Sequence, residues 1–405
     1  MPNKLINVLF VEAPPELYGS SRSLQTLIMN LDRSEIRPVL ACNEHNELLN
    51  WANLNGIRSY PLSLPGLPPE VPGKRRMSYA VSNAPFEPGL SEWLFLPVRE
   101  FRDRLKFRGV RDELSKIMST EKIDILHLNN QVSSNRFAYN IDGSVEIVQH
   151  VRDAPLSRSL HASKLASRAN RIIAISRYVR DEATVAYNRS ISDVVFNPLD
   201  REFRYSQRKR NDWRTRWRIE EDKLVFGQAG RFVDWKGVDT AIKAYTKLCA
   251  DTSFMETTRL VLVGAPADET DYLAQCKCLA EGLPSGQVRI EPFSDDVMGI
   301  FSAFDVTLHP IKKPEAFGRV IIESMACRAV PIARNLGAIK ELIKHKQNGL
   351  LIDDFEELCE GMLELWRDRD AVRKLAECGA SSLDVFDASF VARQVENIYR
   401  EVLYI

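Results

Sequence analysis

The feature of this sequence that most constrains its fold is an alternation of short apolar runs with segments of helical periodicity, in two successive series. The first series has strand-like runs at 6–11, 39–41, 123–128, 145–150, 171–175 and 194–196. The second has them at 224–229, 259–263, 288–290, 305–308, 330–333 and 350–352. Strands that alternate with helices form parallel sheets with right-handed crossovers. The sequence therefore predicts an α/β protein with two doubly wound parallel sheets.

The length of 405 residues also favours two domains, because one hydrophobic core seldom serves so long a chain. We predict a Rossmann-like domain over residues 1–198 and a second over residues 199–387, facing each other across a cleft. The polar stretch 201–222 between the two series is predicted to be a linker that carries a short helix around Trp213 and Trp217.

Composition narrows the class of protein. Lys+Arg and Asp+Glu both number 55, so no overall charge favours nucleic acid as a partner. The seven cysteines are scattered and form no CxxC pair, which favours reduced thiols over a disulfide framework or a zinc site. No apolar run is long enough for a signal peptide or a membrane span. We therefore expect a cytoplasmic protein that is soluble or peripheral to a membrane.

Two carboxylates stand around a predicted helix start, Glu315 in the loop before it and Glu323 inside it. Two acids at such a spacing usually belong to a surface loop and a solvated helix face. Here the residues between them, Ala316-Phe317-Gly318, leave helix-start amides open to an anion. The preceding run 305–308 has the pattern of a buried parallel strand. This context favours a binding site.

A basic turn occurs about eighty residues upstream of the acids. The strand-like run 224–229 leads into a glycine-bounded turn that contains Arg231 and Lys236, and a helix is predicted from about residue 238. Cations at the carboxyl end of a parallel strand, beside a helix start, suit a diphosphate. Since carboxylates suit hydroxyl groups, the two segments together match the chemistry of a sugar nucleotide.

These residues resemble the GT-B glycosyltransferases of the large retaining family 4, the glycosyl transferases group 1. The resemblance also takes in the loop around Gly19, the strand end at His150 and the crossover 195–200. It implies retaining transfer of a sugar from a nucleotide-diphosphate sugar to a glycan or lipid-linked acceptor, in the synthesis of cell-surface polysaccharide or glycoconjugate. It further implies that the first domain binds the acceptor, that the second binds the donor, and that the terminal helix 388–405 packs back on the first domain.

The resemblance also implies roles for particular residues. Glu315 and His150 would be the catalytic residues, and Glu315 and Phe317 would contact the transferred sugar. Glu323 would bind the ribose of the nucleotide. The donor diphosphate would be bound by Arg231, Lys236, Gly19, Gly318, Arg319 and Val320. The base would lie against Gly264, Pro292 and Phe293.

No metal or other cofactor is expected, because these cations and helix-start amides suffice for the charge of the leaving phosphate. The single Asp-x-Asp pattern, Asp368-Arg-Asp370, lies far from both segments in the sequence, and we interpret it as surface.

A basic segment at residues 93–111 has two interpretations. It contains a helical pattern of apolar residues among Arg99, Arg102, Arg104, Lys106, Arg108 and Arg111. Such a pattern fits a peripheral contact with an anionic bilayer, which a lipid-linked acceptor would explain. It fits equally a solvated basic face, and the sequence leaves both interpretations open.

Two other functions remain compatible with the motifs. A sugar-nucleotide epimerase on the same architecture would interconvert the donor without an acceptor, and it would leave the basic segment unexplained. A catalytically silent nucleotide-sugar-binding protein is the second alternative. Proteins that lose catalytic activity usually lose the polar residues of the active site first. The polar residues predicted here are all present, which argues against a silent protein: Arg231, Lys236, Glu315 and Glu323.

Overall fold

The computed structural model describes residues 5–14, 19–64, 90–140, 145–155 and 159–404. The chain divides into two compact units, one formed by Met1–Pro198 with Ala388–Ile405 and the other by Leu199–Asp387. Each unit contains one sheet whose strands all pair in parallel, with 7 strands in the first and 6 in the second. The α/β fold with two parallel sheets is therefore confirmed.

The sheet of the first unit has the strand order β3-β2-β1-β4-β5-β6-β7. Its strands are β1 (Ile6–Glu12), β2 (Ile36–Asn43), β3 (Arg58–Leu62), β4 (Ile125–Asn129), β5 (Glu146–Val151), β6 (Arg171–Ala174) and β7 (Asp193–Val194). The central strands are buried on both faces, as expected of a parallel sheet covered by helices.

In the described part of the first unit, six helices alternate with these strands before the chain enters the second unit. They are α1 (Gly19–Met29), α2 (Leu48–Leu54), α3 (Leu90–Lys106), α4 (Arg108–Glu121), α5 (Leu160–Ala166) and α6 (Arg177–Tyr187). Serine caps start α5 and α6, where Ser159 and Ser176 accept hydrogen bonds from backbone amides at 3.1 and 3.0 Å.

Strand β3 was not predicted from the sequence. Its five residues, Arg-Ser-Tyr-Pro-Leu, show no continuous apolar run, and only Leu62 among them is buried. Because β3 is the edge strand of its sheet, a proline and polar side chains are tolerated there.

The sheet of the second unit has the strand order β10-β9-β8-β11-β12-β13. Its strands are β8 (Leu224–Ala229), β9 (Thr258–Ala265), β10 (Val288–Pro292), β11 (Val306–His309), β12 (Val330–Arg334) and β13 (Leu350–Ile352). Two clusters of buried apolar side chains lie against it, one containing Phe226 and Tyr245 and the other containing Trp217 and Phe304.

Nine further helices belong to the described part of the second unit. They are α7 (Gln207–Trp217), α8 (Val238–Leu248), α9 (Thr252–Thr257), α10 (Asp271–Ala280), α11 (Val297–Ala303), α12 (Arg319–Ala326), α13 (Ile339–Leu342), α14 (Phe355–Arg367) and α15 (Arg369–Ser381). The short helix predicted around Trp213 and Trp217 is confirmed by α7, but the interpretation of 201–222 as a linker was wrong. Helix α7 buries Trp213 and Trp217, and the ring of Trp217 stacks on Phe304 at 5.9 Å, so this segment is part of the second unit's core.

The terminal helix, α16 (Ala388–Tyr404), lies in the first unit, where it contacts α1. Its buried residues Val391, Val395 and Tyr399 join the core formed by β1 and α1. The Tyr399 hydroxyl lies 2.7 Å from Nδ1 of the buried His127 on β4. Apolar burial and one internal hydrogen bond thus attach the end of the chain to the first sheet.

Within the described ranges, no helix combines the length and the hydrophobicity needed to span a bilayer. All seven cysteines lie in those ranges and are free thiols, with Cys278 and Cys378 exposed and the other five buried.

Candidate active site

The second sheet has a topological switch point between β8 and β11. From β8 the chain continues to β9 and β10 on one side, and from β11 it continues to β12 and β13 on the other. In such sheets the loops at the carboxyl ends of the two central strands separate and leave a crevice where ligands bind. The loops that follow β8 and β11 contain the basic turn and the first acid, respectively.

The loop after β8 holds Lys236 in a 3-10 turn, Asp234–Lys236, that ends at Gly237. Gly237 has φ +70°, and a Cβ atom there would lie 2.1 Å from the carbonyl oxygen of Pro310, so this position requires glycine. The buried Gln228 donates a hydrogen bond of 2.9 Å to the carbonyl oxygen of Lys236. The close approach to Pro310 therefore brings the basic turn against the loop after β11.

Lys236 and Glu315 form an ion pair at this crevice. The Lys236 Nζ atom lies 2.8 Å from Oε1 of Glu315, and the two side chains are only 13% and 17% exposed. The other oxygen of Glu315 lies 2.6 Å from Nε2 of His309, the last residue of β11, which is 2% exposed. One carboxylate is thus held between a lysine and a histidine.

The environment of Glu315 keeps it ionised. Burial alone would raise the pKa of its carboxyl group, but the charge of Lys236, the neighbouring His309 and the hydrogen bonds from both outweigh burial and hold the pKa far below its ordinary value. Glu315 is therefore an acceptor of hydrogen bonds at neutral pH, as the predicted contact with sugar hydroxyls requires.

A third loop, the one after β12, contacts the backbone of Glu315. Gly337 pairs with Glu315 in an isolated parallel bridge, and the amide of Ala338 donates a hydrogen bond of 2.9 Å to the Glu315 carbonyl oxygen. Gly337 has φ +64°, and a Cβ atom there would lie 2.4 Å from that oxygen. Glycine at this position allows the backbones to approach closely enough to position the acid.

Lys312 fastens the basic turn to the loop after β11. Its Nζ atom lies 2.8 Å from Asp234 and 2.8 Å from Asp239, and its backbone amide donates to the carbonyl oxygen of Trp235 at 2.8 Å. Asp239 also accepts a hydrogen bond of 2.9 Å from the Tyr272 hydroxyl. Although burial raises the pKa of Asp239, the bonds from Lys312 and Tyr272 lower it below its ordinary value.

Helix α12 begins directly after the loop that contains Glu315. Gly318 occupies its N-cap, so the amides at Arg319 and Val320 belong to the first helical turn, which leaves donors without intrahelical acceptors. Glu323 is 8% exposed and lies 2.9 Å from Arg319 in an ion pair one turn apart. Arg319 therefore holds the carboxylate of Glu323 in the first turns of α12.

Phe317, which was predicted to contact the transferred sugar, has a buried ring. The side chain is 2% exposed, and its ring packs edge-on against Phe386 at 5.9 Å. Because the ring faces the interior of the second unit, its contribution is to the packing of the loop, and any contact with a sugar would come from the backbone.

The residues predicted to bind the base lie together at the next strand ends. Gly264 is in β9, Pro292 at the end of β10 is in register with Ala265, and the Phe293 amide donates to the carbonyl oxygen of Ala265 at 3.3 Å. Phe293 is 63% exposed. Phe293 follows β10, the edge strand two positions from β8, and its exposed aromatic ring is of a kind that can stack on a base.

Arg231 follows β8 after Gly230, and its side chain is exposed. It precedes the turn that holds Lys236, and its contact with the donor diphosphate stays a prediction. The Asp-x-Asp pattern, by contrast, has a structural role. Asp368 caps α15 by accepting from the Ala371 amide at 2.9 Å, and Asp370 pairs with Arg373 on the surface.

The two predicted site residues of the first unit have different settings. Gly19 is the first residue of α1 and is exposed, near the carboxyl edge of the first sheet. His150 is 1% exposed, and its ring lies 5.3 Å from that of His127 in an edge-on contact. Burial, together with the charge of Arg152, holds the pKa of His150 well below its ordinary value. His150 is thus a neutral, buried side chain that does not open on a ligand in this structure.

A buried polar cluster at the carboxyl edge of the first sheet was not predicted. Glu12, at the end of β1, accepts hydrogen bonds from Ser21 at 2.9 Å and from Asn129. Arg152 donates to Asn129 and to Asn197, both at 2.7 Å. Burial raises the pKa of Glu12, against the hydrogen bonds and the charge of Arg152. The polar residues that end two apolar strands, Glu12 and Asn129, were the available signal in the sequence.

Comparisons with known proteins bear on the family and the fold of this chain. Residues 209–381 match the family model of the glycosyl transferases group 1. N-acetyl-alpha-D-glucosaminyl L-malate synthase of Bacillus anthracis is 22% identical over 311 residues, which are 73% of this chain and 79% of that protein.

Two solved structures show the same fold. HepE of Anabaena in complex with UDP-glucose superposes with a TM-score of 0.75 at 19% identity, covering 98% of this chain and 100% of that one. WaaG, a glycosyltransferase involved in lipopolysaccharide biosynthesis, superposes with a TM-score of 0.64 at 14% identity, covering 97% and 99%. These likenesses show that the chain has their two-domain fold.

Proposed function

The chain belongs to the glycosyl transferases group 1 family and has the GT-B fold of a glycosyltransferase, and on that premise we propose that it is a retaining enzyme that uses a UDP-sugar without a metal. The proposed acceptor is a glycan or a lipid-linked glycan of cell-surface polysaccharide or glycoconjugate synthesis. The observation that carries the proposal is the Lys236–Glu315 ion pair at the switch point of the second sheet, beside the start of α12.

The cations and amides would bind the diphosphate. When the bond between the sugar and the phosphate breaks, negative charge builds on the leaving phosphate. Lys236 has three N–H donors, so it can keep its bond to Glu315 and donate to a phosphate oxygen as well. The amides at Gly318, Arg319 and Val320, together with Arg231, would supply further donors.

The carboxylates would bind the hydroxyl groups of the donor. Glu315 is ionised, and each of its oxygens can accept a further hydrogen bond, which suits the hydroxyls of the transferred sugar. Glu323, held by Arg319 one turn into α12, would accept from the ribose.

For retention, the acceptor oxygen would attack the anomeric carbon from the face that the phosphate leaves. The bond from carbon to the phosphate oxygen breaks as the bond to the acceptor oxygen forms. The hydroxyl proton passes to the departing phosphate, so atoms and charge balance without a nucleophile from the protein. Gly19 and His150 remain proposed contacts, and a role for His150 in the reaction would require its burial to change.

The proposed donor and acceptor draw on the comparisons. UDP is proposed because HepE was crystallised with UDP-glucose and because the exposed Phe293 ring suits a base. A lipid-linked acceptor is supported by the likeness to WaaG. Such an acceptor would be met at a membrane surface, and residues 93–111 carry the basic pattern that this contact requires.

The test is a thermal-shift screen of UDP, GDP, ADP and their sugar derivatives, with and without EDTA, followed by turnover with candidate acceptors. We expect UDP to raise Tm, the rise to survive EDTA, and UDP to be released only when an acceptor is present. Donor interconversion without an acceptor would identify an epimerase, and binding without any product would identify a silent binding protein. Loss of the shift in EDTA would refute metal independence.

A further inference from the structure

Helix α3 exposes a row of large apolar side chains to solvent. Leu94, Val98, Phe101 and Leu105 follow one another at intervals of four and three residues, which places them on one face of the helix. They are between 60% and 66% exposed, and Phe95 beside them is 58% exposed. Five of the twelve exposed large apolar side chains in the described ranges therefore lie on this one helix.

The opposite face of α3 carries Glu100 and Asp103, and it packs against the rest of the first unit. Glu100 lies 2.9 Å from Lys164 on α5, and Asp103 lies 3.5 Å from the ring of His161 on the same helix. Leu96, on that side, is 6% exposed. The usual amphipathic arrangement is thus inverted, since the acids face the protein and the apolar row faces outward.

Cations flank the outward row. Arg99, Arg102, Arg104 and Lys106 on α3 and Arg108 at the start of α4 are all exposed. Because Glu100 and Asp103 are directed toward α5, the outward face of α3 from Leu94 onward presents positive charge and apolar surface together.

We propose that α3 docks on the surface of an anionic phospholipid bilayer. The apolar row would enter the boundary between headgroups and acyl chains, while the flanking cations would contact lipid phosphates. A contiguous exposed apolar row of this kind marks an interaction surface. A second copy of the chain is the less suitable partner, because it would bring the same cations against these and the like charges would repel.

This proposal does not depend on the proposed activity, since it rests on the first unit alone. It resolves the ambiguity of residues 93–111 in favour of a membrane contact. If the acceptor is lipid-linked, docking through α3 would bring the enzyme to the surface where that acceptor lies.

The test is flotation of the full chain with phosphatidylcholine vesicles and with vesicles that also contain phosphatidylglycerol. We expect binding to the anionic vesicles only, weakened by added salt. Phe101→Gln with Leu105→Gln should abolish it, whereas Leu54→Gln, which alters an exposed leucine on α2, should not. Lys106→Glu should weaken binding roughly fivefold or more, and Lys374→Glu, an exposed lysine on α15, should leave it unchanged.

Tm and UDP binding, measured on each variant, show that the fold and the second unit are intact. Failure to bind anionic vesicles would overturn the proposal, and so would binding that the α3 substitutions do not change. Light scattering tests whether the chain dimerises through the same row. If the chain fails to bind vesicles and forms a dimer that the Phe101 and Leu105 substitutions dissociate, the row is a contact between copies and the proposal is overturned.

Discussion

Lys236 and Glu315 are 79 residues apart in the chain, yet the ammonium of one lies 2.8 Å from a carboxylate oxygen of the other. Their meeting follows from strand order, because β8 and β11 are neighbours in the sheet and each residue lies in the loop after one of them. The pair places a cation next to a hydrogen-bond acceptor, which is the combination that the proposed sugar-nucleotide site requires.

Removal of the lysine should weaken nucleotide binding and also the fold. Lys236→Met takes away a charged donor, and we expect calorimetry to show roughly tenfold to hundredfold weaker UDP binding. It also leaves Glu315 buried without its main cation, so unfolding in urea should show a loss of up to about 3 kcal/mol. Lys277→Met, which alters an exposed surface pair with Glu269, is the matched control and should change neither quantity. Unchanged UDP affinity in Lys236→Met would remove Lys236 from the donor site.

His309 should act as a positioning residue for Glu315. Its Nε2 atom lies 2.6 Å from the carboxylate, so His309→Ala should free one oxygen of Glu315 and lower kcat with little change in UDP affinity. His309→Gln retains a side-chain donor and should recover part of kcat. His45→Ala, at a histidine whose side chain is 79% exposed, serves as the control. If His309 has only a structural role, both His309 variants should have a lower Tm, and His309→Gln should have no higher kcat than His309→Ala.

A methyl group at Gly337 should disturb the site through the backbone. Gly337→Ala would place Cβ 2.4 Å from the Glu315 carbonyl oxygen, so we expect a loss of stability of several kcal/mol or a displaced acid with low kcat. Gly56→Ala is the control for backbone strain alone. Gly56 has nearly the same φ, +65°, but no atom lies within 4 Å of the added Cβ, so this substitution introduces no clash. The control should cost only about 1 kcal/mol. Equal effects of the two substitutions would show that the approach to Glu315 is unimportant.

The lowered pKa of Glu315 predicts how the ion pair responds to pH. A carboxyl group whose pKa is lower in the folded state stabilises the fold above its ordinary pKa of 4.5, and this contribution is lost as pH falls through the folded value. The difference in unfolding free energy between the wild type and Glu315→Gln should therefore be constant from about pH 8 to about pH 5 and shrink in stronger acid. A difference that instead changes between pH 6 and 8 would contradict the assignment.

The sequence predicted the strands well where they are buried on both faces, because continuous apolar runs bounded by polar residues are distinctive. The run 224–229 coincides with β8, and the run 350–352 with β13. The edge strand β3 was not predicted, because its polar side chains and its proline do not form a continuous apolar run. The short helix around Trp213 and Trp217 was predicted, but its place in the core of the second unit was not, because its many cations suggested a solvent-exposed linker.

The candidate site was only partly predictable. Lys236 and Glu315 stand out because each follows an apolar strand beside a glycine-containing loop. Lys312 and Gly337 contact residues that are distant in the sequence or placed by strand order, so their residue types alone gave no signal. The contact of His309 with Glu315, six residues later, depends on how the loop after β11 turns. The ring of Phe317 and the side chain of His150 lie in the interior of their own units, and a loop or strand-end position does not reveal which way a side chain turns.

A crystal structure of the chain with UDP tests the central claim most directly. The account predicts the diphosphate within hydrogen-bonding distance of Lys236 Nζ and of the amides at Gly318, Arg319 and Val320, with the ribose at Glu323. A diphosphate bound elsewhere, with the Lys236–Glu315 pair left unaltered and remote from it, would contradict the account.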